Sequence, residues 1–504
     1  MSLSKCYQYD TGSRIVMSGK SVQKFLYDNQ GAKPVCTGFT TTITKRFIAR
    51  KLALPILAFV AGCSLIAPPA LAETIQSAMA AAYAGNPTLN AQRAATRVTD
   101  EGVPLARSGY LPQIFGSADY GNSHSTYKLL GSRSTTNLTP RGFGVTISQT
   151  LFDGLKTLNN IRSAKSAVRA SQETLRNTEQ NVLFDAASAY MDVLRDSAIT
   201  SFRSQNLAFL NEEVRAANER FNVGESTRTD VAQAEASRAS AVAALAAARA
   251  QLKGSIAVYR QIIGHDPKNQ QTAHNIDNLL PRDINAALAI AKQEHPAIMA
   301  TYHLVDQASF NVKSAEGDLF PSLSVTGSAS KRNDVSTAGD RRISNSVVAT
   351  LSVPLYQGGA VSAKIRQNKE LLGQRRIEVD SMVDQVRAAV VSAFSQLEAA
   401  RHSVTAGVAQ LRASRLALEG IVEERNVGQR TTLDVLTTQQ AVLNAQITLA
   451  GSRRDSIVAG YALLSAIGRL DARRMKLKVA IYEPEEHYQA VKDKWFGLRT
   501  PDNR

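Results

Sequence analysis

The chain has 504 residues, with 59 lysines and arginines against 43 aspartates and glutamates, a length that allows several domains or one elongated domain. All three cysteines lie at or before Cys63, so the chain after Ala72 forms no disulfide and must be held together by packing. Beyond residue 72 there are 50 basic and 41 acidic residues, scattered through predicted helices, which argues against a nucleic-acid-binding surface.

Residues 1–72 have the features of a secretory signal preceded by an extended leader. A basic flank precedes an apolar run, and Ala70-Leu71-Ala72 closes it. This order predicts cleavage after Ala72 and not a membrane span. Two alternatives stay open, because Cys63 fits the pattern of lipoprotein processing and Met17 is another possible start.

The rest of the chain is a tandem duplication. Asn222-Val223-Gly224 recurs as Asn426-Val427-Gly428, and Leu151-Phe152-Asp153-Gly154 recurs as Leu355-Tyr356-Gln357-Gly358, both at an offset of 204 residues. Solenoid repeats are far shorter, roughly 20–50 residues, so each copy is half of the molecule. We predict a first repeat at 73–282, a second at 283–468 and a C-terminal segment at 469–504.

Each repeat contains one very long predicted helix. Residues 155–221 contain neither Pro nor Gly, and the counterpart 359–425 contains no Pro. A helix of this length would reach about 100 Å and is stable only beside parallel or antiparallel neighbours. Return helices are predicted at about 228–263 and 432–467, and shorter helices open the repeats at 74–84, 88–108, 284–294 and 297–318.

Four segments of about ten residues alternate apolar with small polar side chains, two in each repeat. We predict strands at about 112–122, 142–152, 321–331 and 345–356, with polar loops at 122–140 and 331–344. Such strands suit either a transmembrane β-barrel or a hairpin on a soluble core. Four strands are too few to close a barrel, so the membrane interpretation requires several chains to pool their strands.

Occurring twice and in this order, these segments resemble the TolC family of outer-membrane efflux proteins over about residues 73–470. The most specific sequence motifs are Arg220 to Gly224 with Thr229-Asp230-Val231, and Val427-Gly428 with Arg430-Thr431 and Asp434-Val435-Leu436. The resemblance implies a mainly α fold with transmembrane β structure. It implies a homotrimer with a 12-stranded β-barrel in the outer membrane, four strands per protomer, continued by a long α-helical periplasmic barrel. The chain's end, from Asp471 to about Trp495, would form a belt around the middle.

The same resemblance implies a function as the exit duct of tripartite efflux pumps or type I secretion systems. Its partners would be outer-membrane lipid, a periplasmic adaptor and an inner-membrane transporter, with no cofactor. The alternative is a non-channel periplasmic coiled-coil scaffold or adaptor, which would share the helices but not need the strands. The histidines show no ligand spacing, and the sequence has no phosphate loop or nucleophile elbow, so neither an enzyme nor a metal site is predicted.

Gly224 and Gly428 are the predicted tip turns, because glycine supplies the positive φ that ends a helix. By resemblance, an adaptor docks at these turns. Asp434 matches an aspartate that three chains bring together as a constriction near the periplasmic end. The alternative for Asp434 is simple stabilisation of a helix N-terminus. Thr437 stands where the family has a second aspartate, so one acidic ring is expected.

Arg430 and Asp230 match a pair that in the family holds the closed tip together. The aromatic residue expected before the second turn is Arg425, whereas the first repeat keeps Phe221. Arg425 and Arg228 offer either additional ion pairs or solvated charges.

Overall fold

The computed structural model describes residues 73–272 and 276–502, so the predictions for Met17, Cys63 and Ala72 lie outside the described residues. The first repeat forms α1 (Ile75–Gly85), α2 (Pro87–Asp100), α3 (Gly102–Arg107), β1 (Gln113–Tyr120), β2 (Ser123–Leu129), β3 (Ser132–Leu138), β4 (Arg141–Phe152), α4 (Lys156–Asn222) and α5 (Arg228–Ile263). The second forms α6 (Ile284–Glu294), α7 (Pro296–Glu316), β5 (Ser322–Asn333), β6 (Arg341–Ser352), α8 (Ala360–Asn426) and α9 (Thr432–Ala466), followed by α10 (Pro484–Val491). The prediction of a mainly α, internally duplicated fold with four antiparallel strands is confirmed.

The two longest helices, α4 and α8, have 67 residues each and follow sharp corners after β4 and β6. Before α4 the chain passes through Gly154 at φ +68° and Leu155 at φ +65°. A Cβ on Gly154 would lie 2.3 Å from the carbonyl oxygen of Gly317, so both the conformation and the close approach require glycine. The corner therefore fixes where the helix leaves the sheet.

The main hydrophobic core lies beside the middle of the long helices, where α1 and the neighbouring short helices pack on them. Its largest fully buried side chains include Tyr190, Tyr259 and Tyr461. The hydroxyl oxygen of Tyr190 lies within hydrogen-bonding distance of two carbonyl oxygens, those of Glu73, at 2.8 Å, and of Gln271, at 2.7 Å. Towards the tips the core reduces to small clusters such as Leu210, Ala241 and Leu436. Polar contacts therefore matter more at the tips.

The main sheet has the order β1-β4-β5-β6 and is antiparallel throughout. The predicted polar loop at 122–140 instead contains the hairpin β2–β3, whose two-residue turn is Leu130-Gly131 with φ +48° and +84°. Most residues of this hairpin are polar, so its sequence lacks the sustained alternation that predicts a strand. The strand β6 begins and ends four residues earlier than predicted. It ends before Pro354, which has no N–H to donate to a ladder.

The predicted helix at 88–108 is divided in the structure into α2 and α3 at Glu101, just before Gly102. The short α3 and a 3-10 turn at Ser108–Tyr110 then lead into β1. The other predicted helices differ from the observed bounds by at most two residues.

Candidate functional site

The four-stranded sheet has one mainly apolar face, which also carries Gln149, Lys331 and Asn345, and one mainly polar face, which also carries Phe115 and Val348. Directly paired residues project to the same side of a sheet, so the register assigns each residue to a face. One face carries Ile114, Gly116, Ala118, Phe143, Val145, Ile147, Val325, Gly327, Ala329, Val347, Ala349 and Leu351. The other carries Ser117, Thr146, Ser148, Ser324, Thr326, Ser328, Ser330, Ser344, Ser346 and Thr350. A wall between lipid and water has this composition.

The sheet also has two open edges. The strands β1 and β6 each have a single neighbour within the protomer, so their outer sides present unpaired N–H and C=O groups. Hydrocarbon contains no water to satisfy these groups. In a membrane, this sheet therefore needs strands from other chains on both sides.

The two predicted tip turns reverse the chain between α4 and α5 and between α8 and α9. The φ angle is +81° at Gly224 and +80° at Gly428. In both turns the glycine N–H bonds to the carbonyl three residues earlier, and the next N–H bonds to the carbonyl five residues earlier. A Cβ at either position would meet nothing within 4 Å, so the backbone conformation alone requires glycine.

The predicted site aspartates occupy equivalent positions after the two turns. Asp230 and Asp434 are the third residues of α5 and α9. Each closes a capping box with the N-cap threonine of its helix, Thr227 or Thr431. An Asp434 carboxylate oxygen accepts from the N–H of Thr431 at 3.0 Å and from its hydroxyl at 2.9 Å. These bonds, led by the backbone N–H, hold the pKa of Asp434 below its usual range, so its carboxylate stays charged.

The alternative role of Asp434, stabilisation of a helix N-terminus, is therefore present in the protomer. A constriction would involve three copies of the same carboxylate, so that role stays a prediction. Thr437 is exposed on the next turn, and its hydroxyl donates to the carbonyl oxygen of Asp434 at 3.0 Å.

Arg430 lies immediately after the second turn. Its Nε donates to a carboxylate oxygen of Glu424 at 2.7 Å, and both side chains are about half-exposed. Among the ion pairs of the described residues, none joins Arg430 to Asp230, whose carboxylate bonds to Thr227. The predicted gating pair is thus not brought together within one protomer, and a contact between protomers stays a prediction. Sequence reasoning missed Glu424, although it lies only six residues away across the turn.

Arg425 is not a solvated charge. Its Nη1 donates to a carboxylate oxygen of Glu213 at 2.7 Å, and each side chain is only 11% exposed. The pair joins the end of α8 to α4, so it connects the second helical hairpin to the first. The Nε of Arg425 is buried without a hydrogen-bond partner in the described structure. In the first repeat the equivalent of Arg425 is Phe221, and this asymmetry was the one sequence signal available.

An amphipathic sheet with two open edges, at one end of paired helices about 100 Å long, defines the subunit of an outer-membrane channel. The comparisons then give the family. The sequence pattern described as "Outer membrane efflux protein" matches residues 78–265 and 287–469, and the chain belongs to this family.

Two relatives and one solved structure illustrate the range of similarity. The outer membrane efflux protein BepC of Brucella suis biovar 1 (strain 1330) is 47% identical over 460 residues, covering 91% of this chain and 99% of that relative. The outer membrane protein TolC of Escherichia coli (strain K12) is 26% identical over 419 residues, covering 79% and 83%. The crystal structure of the Campylobacter jejuni CmeC outer membrane channel has a TM-score of 0.71 at 15% identity, covering 83% of this chain and 89% of that one.

The protein is therefore an outer-membrane efflux channel that extends into the periplasm, and the family is non-enzymatic. Proteins of this family form homotrimers and work in tripartite pumps. Within residues 73–272 and 276–502, no group of three or more His, Cys, Asp or Glu side chains is arranged to hold a metal ion.

Proposed function

We propose that three copies of this chain close a 12-stranded barrel in the outer membrane and form the exit duct of a tripartite efflux pump or a type I secretion system. The observation that supports this most directly is the four-stranded sheet, with its apolar face, its serine- and threonine-rich face and its two open edges. Three such sheets pair β1 of one protomer with β6 of the next, which leaves no open edge in lipid.

The helix α5 supports the same assembly. By length and composition it is the one helix of the described chain that could cross a membrane, with a mean hydropathy of 1.2 in an 18-residue window of which 11% is buried. A single helix of this kind is weak evidence for a span. Its exposed alanine-rich surface, including Val242, is instead suited to close helix packing against a neighbouring protomer.

Cell fractionation tests the assembly. We expect the protein in the outer membrane, extracted only by detergent, as a trimer whose electrophoretic migration changes when the sample is heated. A water-soluble periplasmic monomer would contradict the channel and favour the scaffold alternative. That alternative gives no role to the apolar face of the sheet.

The adaptor and the inner-membrane transporter would meet the channel at the tip turns. Val223 and Val427, which directly precede Gly224 and Gly428, are each 71% exposed, so both turns present an apolar side chain to a partner. The chain after residue 72 contains no cysteine, so single-cysteine variants report one position each. We expect Val223→Cys and Val427→Cys to cross-link to the periplasmic adaptor, and Val242→Cys not to. Equal cross-linking at all three positions would contradict docking at the tip.

The matched capping boxes allow a controlled test of the constriction. Asp434→Asn keeps a side-chain oxygen for the capping box but removes the charge, and Asp230→Asn makes the same change in the first repeat. We expect a trivalent cation to block wild-type channels and Asp230→Asn channels, but no longer to block Asp434→Asn channels. Persistent block in Asp434→Asn would exclude Asp434 as the constriction, and loss of block only in Asp230→Asn would place it in the first repeat.

A further inference from the structure

The chain carries an exposed apolar segment near its end, residues 494–499, which we name the tail apex. The exposed fractions of Trp495, Phe496 and Leu498 are 79%, 83% and 102%. The rings of Trp495 and Phe496 lie 6.0 Å apart. Single exposed apolar residues are ordinary on protein surfaces, but three within four residues form a patch that favours an apolar or interfacial partner.

The tail apex lies close to the end of the helices that meets the sheet, and so nearer to the sheet than the belt that the resemblance implies for the chain up to Trp495. The helix α10 packs on α2, and beyond it Asp493 forms an ion pair with Arg107, the last residue of α3. Two residues later, a Cβ on Gly109 would lie 2.8 Å from Oγ1 of Thr157, in the first turn of α4. Along the axis of α4, Asp493 therefore lies at about the height of that first turn.

Exposed aromatic residues mark the adjacent membrane boundary. Phe152, Phe320 and Tyr356 lie at the corners between strands and helices and are all exposed in the protomer. Aromatic side chains collect at the interface between hydrocarbon and water in transmembrane barrels. Since α4 begins four residues after Phe152, the tail apex is roughly 10–15 Å from this level.

Basic side chains lie at and near the tail apex, and the carboxylates on either side of it, Asp493 and Asp502, are paired with Arg107 and Arg97. Lys494 and Arg499 flank its apolar residues, and Asp493 is engaged by Arg107. Residues 154–172, which include the first turns of α4, contain no aspartate or glutamate. Three exposed basic side chains lie on this stretch, namely Arg162, Lys165 and Arg169. Basic side chains beside a membrane are attracted to anionic lipid headgroups.

We infer that the tail apex docks on the periplasmic leaflet of the outer membrane, with Trp495, Phe496 and Leu498 in the interface and Lys494 and Arg499 on the phosphate groups of anionic phospholipid. Each protomer then has a membrane contact outside the barrel. Three such contacts hold the helical barrel at a fixed height and tilt relative to the membrane. This inference rests on the outer-membrane location of the channel and not on the identity of its partners.

Trp495 is the one tryptophan in the chain, so its fluorescence reports on the tail apex alone. Purified channels are placed in nanodiscs of phosphatidylethanolamine and phosphatidylglycerol, with or without bromine on the acyl chains near the headgroups. Brominated lipid quenches only a ring that touches it. We expect it to reduce Trp495 emission by about half or more, and to leave acrylamide a weak quencher.

The charge-reversed variant Lys494→Glu/Arg499→Glu should lose most of the lipid quenching. Lys478→Glu is the matched control, because Lys478 is an exposed basic residue of the same C-terminal segment whose neighbour Leu477 lies in the core beside the middle of the helices. Conductance measured on the same samples shows separately that the channel is intact. Equal emission in brominated and plain lipid would overturn the inference. If Trp495 were shielded from acrylamide but not quenched by bromine, a neighbouring protomer would cover it, which also overturns it.

Discussion

Removing one partner of the buried pair between Glu213 and Arg425 should open the periplasmic tip. This pair joins α8 to α4 at 2.7 Å, with each side chain 11% exposed. The α8–α9 hairpin therefore separates from the α4–α5 hairpin only if both charges lose their partner. Few buried apolar residues support the contact nearby, since the clusters there are small.

The size of the effect follows from burial. Breaking a fully buried ion pair costs about 3–5 kcal/mol, because the remaining charge is left unpaired. With a small exposed fraction on both sides, we expect Glu213→Ala to cost about 3 kcal/mol per protomer, which shifts the closing equilibrium of one tip by roughly a hundredfold. Arg425 already has a buried Nε without a partner, so it has no alternative acceptor ready.

Single-channel conductance in planar bilayers measures the opening of the tip. In cells, the opening is measured by the entry of a large antibiotic that the closed channel excludes. Glu213→Ala should raise both. Glu219→Ala is the control, because Glu219 lies on the same helix with a side chain that is 72% exposed. The double variant Glu213→Ala/Arg425→Phe introduces the residue types that the duplication places at the equivalent positions, Ala417 and Phe221, and should restore closing because no charge is left unpaired.

Two results would refute this reasoning. One is wild-type conductance in Glu213→Ala with trimer assembly intact. The other is additivity of Glu213→Ala and Arg425→Ala in a double-mutant cycle, since residues that interact directly show a coupling energy above about 0.5 kcal/mol.

Two further predictions concern single residues. Arg430→Ala should raise conductance much less than Arg425→Ala, because Arg430 pairs with Glu424 in solvent, and an equal increase in conductance would contradict this ranking. Burial lowers the pKa of His295 from 6.5 to about 4. Between these two pH values the folded protein therefore binds fewer protons than the unfolded chain. Because of this group, the free energy of unfolding falls by about 3 kcal/mol as the pH falls from about 6.5 to about 4. His295→Asn, which copies the Asn86 cap of the first repeat, should abolish that part of the pH dependence in thermal unfolding of the detergent-purified protein; an unchanged pH profile would show that His295 does not titrate in this range.

The duplicated motifs of the sequence were sufficient to predict the family, and the family pattern matches both halves of the chain. The contacts of the site residues were harder to predict from the sequence. The Thr227–Asp230 and Thr431–Asp434 capping boxes were visible as local spacing, yet they were not predicted as pairs. Glu213 gave no local signal, because its partner Arg425 lies 212 residues away.

By itself, the sequence determined the lengths of the helices, the alternation of the strands and the positions of the turns. These properties follow from hydrogen bonding and side-chain period within short stretches of backbone, where Pro, Gly and alternation act directly. Only the tertiary structure decided that Arg425 reaches Glu213, that Arg430 turns to Glu424, and that Asp493 pairs with Arg107. Those contacts depend on the level at which one long helix packs against another, and no local period in the sequence encodes that level.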